Sequence, residues 1–312
     1  MMSAAKINLS QVFEVPEEQR DGLHYYALLD LARCPEFPGF LTDEGACLFG
    51  SGPGTPIARV SPHLVRLPQR VAATAWRGLV EHRGGTSWLS VMASRLSFKE
   101  VLRHLRAHLQ VKIGKNTMYL AYWDPAILAV LVGQPDDDTL FVRGPVLDPA
   151  QLGSFLSPMS CWWYWDRRNA LRGIDCARPG TSTPAEALLP VLPLEFRAEQ
   201  TDLLVQASLP DRVLHELRVS QPHLLEERDE SQNYELACRL LKSAQSLRLR
   251  GLRDQVNFVG AGMILGEAFH LHPDVRPWLE DVPTGSRRFI EALRRVPAEA
   301  LEAARKQELQ RL

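Results

Sequence analysis

The stretch at positions 94–131, SRLSFKEVLRHLRAHLQVKIGKNTMYLAYWDPAILAVL, contains a helix, a hairpin and a second helix, each with its own boundary signals. Ser97 and Glu100 have the spacing of a capping box, which predicts that a helix begins between them. Apolar residues then recur with the helical period as far as Leu109, so one face of this helix is expected to pack on a core.

In the second half of the stretch, the spacing of the apolar residues changes from the helical period to a period of two. After Leu109, apolar residues alternate with polar ones on both sides of a turn at 114–116, which predicts a β-hairpin. Asp124 and Pro125 then form a typical N-cap and first-turn pair, followed by an apolar run that continues the second helix. The centre of the chain is therefore predicted to be a locally well-specified unit of strands and helices, without a recognisable catalytic motif.

The flanking segments predict two kinds of architecture. Short apolar runs predict strands at 24–30, 46–49, 63–67, 88–93 and 161–166, and helical patterns predict helices at 71–82 and 148–155. From about position 194 strand signals vanish, and helices are predicted at 199–219, 233–249, 252–269 and 285–312, the last broken near Pro297. We expect a lead-in (1–22), an α/β (α+β) domain with a mixed sheet flanked by helices (23–193), and an all-helical C-terminal lobe (194–312).

The composition and the segment patterns of the chain argue against several classes of protein. A 312-residue chain with 45% hydrophobic residues and a net charge of -1 lacks the basic footprint of a nucleic-acid-binding protein. The N-terminus lacks a signal-peptide pattern, and no segment reaches the roughly 18 apolar residues of a membrane span. Five scattered cysteines without a CxxC pair are typical of reduced thiols. We expect a cytoplasmic protein that binds neither membranes nor nucleic acid.

Candidate catalytic patterns are each incomplete. The glycine-rich run at 50–54 lacks the Lys-Ser/Thr of a P-loop, and His104 and His108, four residues apart, lack a third metal ligand nearby. The chain has no GxSxG motif. We therefore expect no catalytic residues, no cofactor and no metal site. Because catalytic triads are spatial, an alternative stays open: a hydrolase or nucleotide-using enzyme with an unrecognised site in the α/β domain.

Three features are candidates for partner binding. Positions 162–165 read WWYW, and aromatic residues on both faces of one strand indicate either a sheet covered on both sides or an exposed aromatic surface. Glycines within the apolar pattern VGAGMILG indicate close helix packing, inside the lobe or against a partner. The last helix carries an apolar face. The candidate partner-binding residues are Trp162, Trp165, Gly262, Gly266, Leu301 and Leu309.

Four segments, in order, carry a family resemblance: YALLD at 26–30, ACLFG at 46–50, HLVRL at 63–67, and the 94–131 stretch with its Trp123-Asp124-Pro125 helix start. Over about residues 24–156 the chain resembles domain of unknown function 4123. The chain differs from the family pattern at Ala121 and Ala126, where relatives often carry arginine.

The resemblance implies an adaptor chaperone of the bacterial type VI secretion system. Such a protein would bind a cognate effector in the bacterial cytoplasm, often through the N-terminal region of the effector. It would then help to load the effector onto the secretion spike protein. Its chemistry would be association alone, without substrate turnover.

Overall fold

The structure is a computed structural model that describes residues 22–34, 45–52, 54–67, 88–176, 193–282 and 288–310. The predicted lead-in before residue 22 and the predicted helix at 71–82 lie outside the described residues. The chain divides into two compact units, with the boundary between Ala207 and Ser208.

Within its described residues, the first unit contains two sheets. The strands are β1 (His24–Asp30), β2 (Gly45–Cys47), β3 (Pro62–Arg66), β4 (Leu89–Ser94), β5 (Gln110–Ile113), β6 (Asn116–Tyr119), β7 (Cys161–Trp165), β8 (Leu171–Asp175) and β9 (Leu194–Phe196). Six of them form a sheet in the order β2-β3-β1-β4-β7-β8, in which every neighbouring pair is antiparallel. The order in the smaller sheet is β6-β5-β9, and only this sheet is mixed, since β5 and β9 are parallel. The α+β class is confirmed.

The helices of the first unit begin where the sequence predicts. They are α1 (Phe98–Ala107), α2 (Pro125–Val132), α3 (Pro149–Leu156) and α4 (Ala198–Ala207). Ser97 and Glu100 form the expected capping box, in which the Ser97 N–H donates to Glu100 Oε2 over 2.9 Å. The Asp124 carboxylate accepts the Ala126 N–H at 2.8 Å and so caps α2. Local capping chemistry thus fixes the entry of each of these two helices.

The main sheet is covered on both faces. Tyr26, Met92 and Trp162 belong to one buried layer, which packs against residues of α1, α2 and α3. Val91 and Trp165 belong to a second buried layer on the opposite face. The predicted alternation along β7 is confirmed. Because both layers are buried, aromatic residues on each face serve the core.

The described part of the second unit, 208–282 and 288–310, consists of helices and turns, the type of structure that the sequence predicts for this part of the chain. Its helices are α5 (Leu209–Ser220), α6 (Glu230–Ser246), α7 (Leu252–Leu265), α8 (Phe289–Leu293) and α9 (Ala298–Leu309), with 3₁₀ turns between some of them. The break at Pro297 is confirmed, whereas the single helix predicted at 199–219 is two helices, with Pro210 in the first turn of α5. Helix α7 ends at Leu265 because Gly266 has a φ of 100°. No helix in the described ranges has both the length and the apolar character needed to cross a membrane.

The boundary between the units lies later in the chain than position 194. Strand β9 pairs with β5 through Val111 and Leu194, so it belongs to the smaller sheet of the first unit. Helix α4 follows β9 and ends at Ala207, which is buried in the first unit's core. Helical periodicity alone does not reveal the position of this boundary, because the pairing between β5 and β9 depends on segments that are far apart in the sequence.

Candidate partner-binding surface

The two tryptophans predicted to bind a partner are buried. Trp162 has no exposed surface, and its indole N–H donates to Ser90 Oγ at 3.0 Å within the sheet. Trp165 is 4% exposed and belongs to the opposite layer. Partner contact by either residue stays a prediction. Because both side chains are buried, the proposed binding surface consists of other residues.

The two glycines among the predicted residues allow close packing inside the second unit. A Cβ on Gly262 would lie 2.3 Å from Leu240 Cδ2, so this glycine permits the close approach of α6 and α7. At Gly266 a Cβ would lie 2.4 Å from Glu308 Cγ. Leu301 is half-buried, and the side chain of Leu309 lies outside the described residues. Contact of these four residues with a partner stays a prediction as well.

Buried polar groups in the first unit are bonded to one another. The Asp137 carboxylate accepts from the Thr139 hydroxyl at 2.6 Å and from the Tyr164 hydroxyl at 2.9 Å. Burial, followed by the nearby Asp137 charge, raises the pKa of Tyr164, which keeps this phenol protonated as a donor. The Asp137 oxygens therefore hold the loop between α2 and α3 against β7.

Asp166 is bonded in a similar way at the end of β7. One of its oxygens accepts the backbone N–H groups of Arg168 and Ala170, each at 2.9 Å. The other accepts from the Arg172 guanidinium at 2.8 Å. Since both oxygens are occupied, this carboxylate fixes the turn between β7 and β8.

A shallow pocket lies beside these carboxylates, lined in part by Arg33, Asp124, Tyr164 and Asp166. It has room for about one water molecule, far less than a substrate pocket requires. Within the described residues, no group of three or more His, Cys, Asp or Glu side chains is placed to hold a metal ion. The local chemistry fits structural support.

The histidine pair of α1 is also bonded internally. His104 Nε2 donates to the Phe155 carbonyl at 2.9 Å, and His108 Nδ1 donates to the His104 carbonyl at 2.9 Å. Burial, reinforced by His108, lowers the pKa of His104 to about 4. Burial also lowers the pKa of His108. Both rings are thus neutral at pH 7 and join α1 to α3 as packed groups.

Aromatic and apolar side chains do reach solvent at another place in the first unit. Phe49, Tyr119 and Trp123 form the aromatic cluster, in which the Phe49 ring centroid lies 5.0 Å from Tyr119 and 5.6 Å from Trp123, both edge to face. Tyr119 is 62% exposed and its neighbour Met118 is 56% exposed. Rigid, exposed aromatic rings of this kind are typical anchors of protein interfaces.

The fold holds the aromatic cluster from beneath. The turn that carries Phe49 is tied to α1, because the Arg106 guanidinium donates to the Cys47 carbonyl at 2.8 Å and to the Leu48 carbonyl at 3.1 Å. Trp123 is half-buried and packs on the core just before the cap of α2. The cluster is therefore preorganised, which lowers the entropy lost when a partner binds.

The sequence analysis did not single out the aromatic cluster. Its residues come from two separate segments, and only their contact in space makes them a surface. One signal was present, since Trp123 is the aromatic residue of the Trp-Asp-Pro helix start. Tyr119 gave no such signal, because it alternates with Met118 and Leu120 and so lies outside the apolar face predicted for the hairpin.

Comparison with known families finds a match within the first unit. Residues 25–140 match the family model described as domain of unknown function, DUF4123, which is the family that the sequence resembles. All three members of the aromatic cluster and strand β6 lie within the matched residues. No curated protein and no solved structure matches the chain.

Proposed function

We propose that this chain is a non-catalytic adaptor chaperone that binds a cognate type VI secretion effector and helps to load it onto the secretion spike protein. The DUF4123 family is associated with adaptors of such effectors, and it is not a known enzyme family. In this role the protein acts in the bacterial cytoplasm before secretion and turns over no substrate.

The observation that carries the proposal is the exposed aromatic cluster on the matched domain. Tyr119 and Phe49 present apolar surface to solvent together, and the adjacent Met118 is exposed on the other face of the hairpin. Apolar side chains gain stability when another protein covers them, by about 25 cal/mol for each Å² buried. A surface of this kind favours association with a protein over small-molecule chemistry.

The internal bonding of the carboxylates supports the same function. A general base needs an oxygen that is free to accept a substrate proton, whereas both oxygens of Asp166 are already hydrogen-bonded. The shallow pocket beside them has room for about one water molecule. Among the described residues, this geometry favours structural support over the alternative of a hydrolase or nucleotide-using enzyme.

Co-expression tests the proposal. The tagged full-length chain would be produced with the effector encoded beside its gene, and separately with the spike protein. We expect the effector to co-purify and its soluble fraction to rise in the presence of the adaptor. Phe49→Ala combined with Tyr119→Ala should abolish co-purification, whereas Trp278→Ala, which removes an exposed aromatic residue of the second unit, should retain it. An effector that is equally soluble alone and never co-purifies would contradict the proposal.

A further inference from the structure

Strand β6 lies at one edge of the smaller sheet, with β5 on one side and no strand of the described residues on the other. All four of its residues, Asn116–Tyr119, are exposed. An uncovered edge of this kind displays backbone N–H and C=O groups that can pair with another strand. The edge adjoins the aromatic cluster, because Tyr119 belongs to both.

The register of the hairpin shows which backbone groups face outward. In an antiparallel pair, hydrogen-bonded and non-hydrogen-bonded residue pairs alternate. The Leu120 N–H donates to the Leu109 carbonyl at 2.9 Å, and Val111 is opposite Met118, two positions along, so these are the bonded pairs. Tyr119 lies between these two pairs, and Thr117 is the next residue on the other side of Met118, so both are in non-hydrogen-bonded pairs. Their N–H and C=O groups therefore point away from β5, and no described residue bonds to them.

Strand β6 is short, with four residues, but it lacks three other features that natural sheets use to block unwanted pairing. Those features are proline, lysine within the strand and β-bulges. The sequence of β6 is NTMY, and its ladder with β5 runs without a bulge from Gln110↔Tyr119 to Ile113↔Asn116. An edge left open next to exposed aromatic rings is suited to accept a strand from another protein.

Side chains along β6 indicate what such a strand should carry. Met118 shares a sheet face with the buried residue Val111, its partner across the ladder, whereas Tyr119 lies on the other face against Phe49. Alternate residues of an added strand would meet these two faces in turn. Consecutive apolar residues, preferably β-branched or aromatic, would cover both.

Charge along the segment that contains β6 favours an acidic partner segment. Positions 95–123 contain six cationic residues and one acidic residue, Glu100, in a chain whose net charge is -1; the cations are Arg95, Lys99, Arg103, Arg106, Lys112 and Lys115. Lys112 lies opposite Thr117 and Lys115 lies in the hairpin turn. Glu195 of β9 pairs with Lys112 at 3.6 Å and offsets part of this charge. The surplus is positive, so acidic residues flanking the apolar ones would be attracted.

We propose that the effector is held by strand addition: an extended segment with consecutive apolar residues and acidic flanks pairs with the open edge of β6 and covers the aromatic cluster. This inference rests on the proposed function, because the segment belongs to the cognate effector. The backbone of Thr117 and Tyr119 supplies the hydrogen bonds, and Met118, Tyr119 and Phe49 supply the apolar contacts.

Hydrogen exchange on the full-length wild-type chain tests the inference without any variant. The amides of Thr117 and Tyr119 should exchange at least about tenfold more slowly in the purified complex with the neighbouring effector than in the free chain, since each gains a hydrogen bond. Unchanged exchange in a complex that does form would overturn strand addition and leave the adaptor function standing. Absence of any complex would overturn the adaptor function itself.

A proline variant gives the second measurement. Thr117→Pro removes an N–H that the hairpin does not use, so the fold should persist while the edge is blocked. We expect its Kd for the effector to rise about tenfold or more, while the matched control Thr117→Ala, which keeps the N–H, binds like wild type. Unchanged exchange of the Leu120 amide would verify that the hairpin of the variant is intact. Equal affinity of the two variants would contradict the inference. If the wild-type chain forms a dimer and Thr117→Pro abolishes that dimer, the edge of β6 binds a second copy of the chain. This result would also contradict the inference.

Discussion

The rings of Phe49 and Tyr119 meet edge to face with their centroids 5.0 Å apart. Phe49 follows strand β2 of the main sheet, and Tyr119 ends strand β6 of the smaller sheet. Their contact therefore joins the two sheets of the first unit at the surface, and it leaves most of Tyr119 in solvent. A contact between two sheets that is made by exposed aromatic rings provides a rigid place for a partner to bind.

Removing an exposed ring should affect stability little. Tyr119→Ala deletes a side chain that is 62% exposed, so we expect the free energy of unfolding to change by less than about 1 kcal/mol. Tyr122→Ala, three residues along the chain from Tyr119, should cost about 3–5 kcal/mol, because Tyr122 is fully buried and its hydroxyl donates to the Leu105 carbonyl. Urea unfolding of the two variants measures the difference. Equal losses would show that Tyr119 is a core residue.

Two glycines of α7 should respond to alanine with opposite signs. Gly262→Ala places a Cβ within 2.3 Å of the buried Leu240, so we expect a loss of about 1–3 kcal/mol from overpacking. At Gly260 the nearest atom, Leu217 Cδ2, is 3.4 Å away. Gly260→Ala should therefore stabilise the helix by up to about 1 kcal/mol. Calorimetric Tm values of the two variants give the signs, and a stabilising Gly262→Ala would refute the close packing of α6 on α7.

The cap of α2 predicts that Asp124→Ala lowers the stability of the fold more than Asp124→Asn does. Asp124→Ala removes both the acceptor for the Ala126 N–H and the partner of Arg33, whose guanidinium lies 2.8 Å from the carboxylate. We expect a loss of about 1–2 kcal/mol. Asp124→Asn keeps the capping oxygen and should cost less than about 1 kcal/mol, since an ion pair this exposed contributes little. Chemical denaturation would show whether the two losses differ, and identical losses would argue against the cap.

Stability should fall as the solution is acidified. The folded-state pKa of His104 is about 4, below its ordinary value of 6.5, so the unfolded chain binds more protons between these pH values. Stability contributed by the neutral ring is therefore present above about pH 6.5 and is lost as pH falls toward 4. At pH 5 we expect a loss of about 1–2 kcal/mol relative to pH 7 from this residue.

A pair of variants isolates the contribution of His104. Tm measured from pH 7 to pH 5 should fall more steeply for wild type than for His104→Gln, whose side chain does not titrate and can still donate to the Phe155 carbonyl. His223→Gln, at an exposed position of the second unit, should keep the wild-type slope. If His104→Gln retained that slope too, the buried histidine would not be the source of the acid sensitivity.

Local signals in the sequence predicted local structure well. The capping box of Ser97 and Glu100, the cap at Asp124 and the alternation along positions 161–165 are all present in the fold. Each depends on residues within four positions of one another. Short-range chemistry of this kind is decided before the chain packs.

Features that depend on distant segments were not predictable in the same way. Met118 continues the apolar alternation of a strand, yet it is exposed because β9, formed at Leu194–Phe196, pairs with β5 and leaves β6 at the edge. Burial of Trp162 likewise depends on helices that cover the sheet. The density of aromatic residues at 162–165 left both outcomes open, and the layers on each face decided between them.

The most direct test of the central claim is the affinity of the purified full-length chain for the effector encoded beside its gene, measured by isothermal titration. We expect Phe49→Ala combined with Tyr119→Ala to raise Kd by about 30-fold or more, as removal of an interface anchor does. Trp278→Ala, the exposed-aromatic control, should bind like wild type. An unchanged Kd for a correctly folded double variant would contradict the claim that the aromatic cluster is the effector-binding surface.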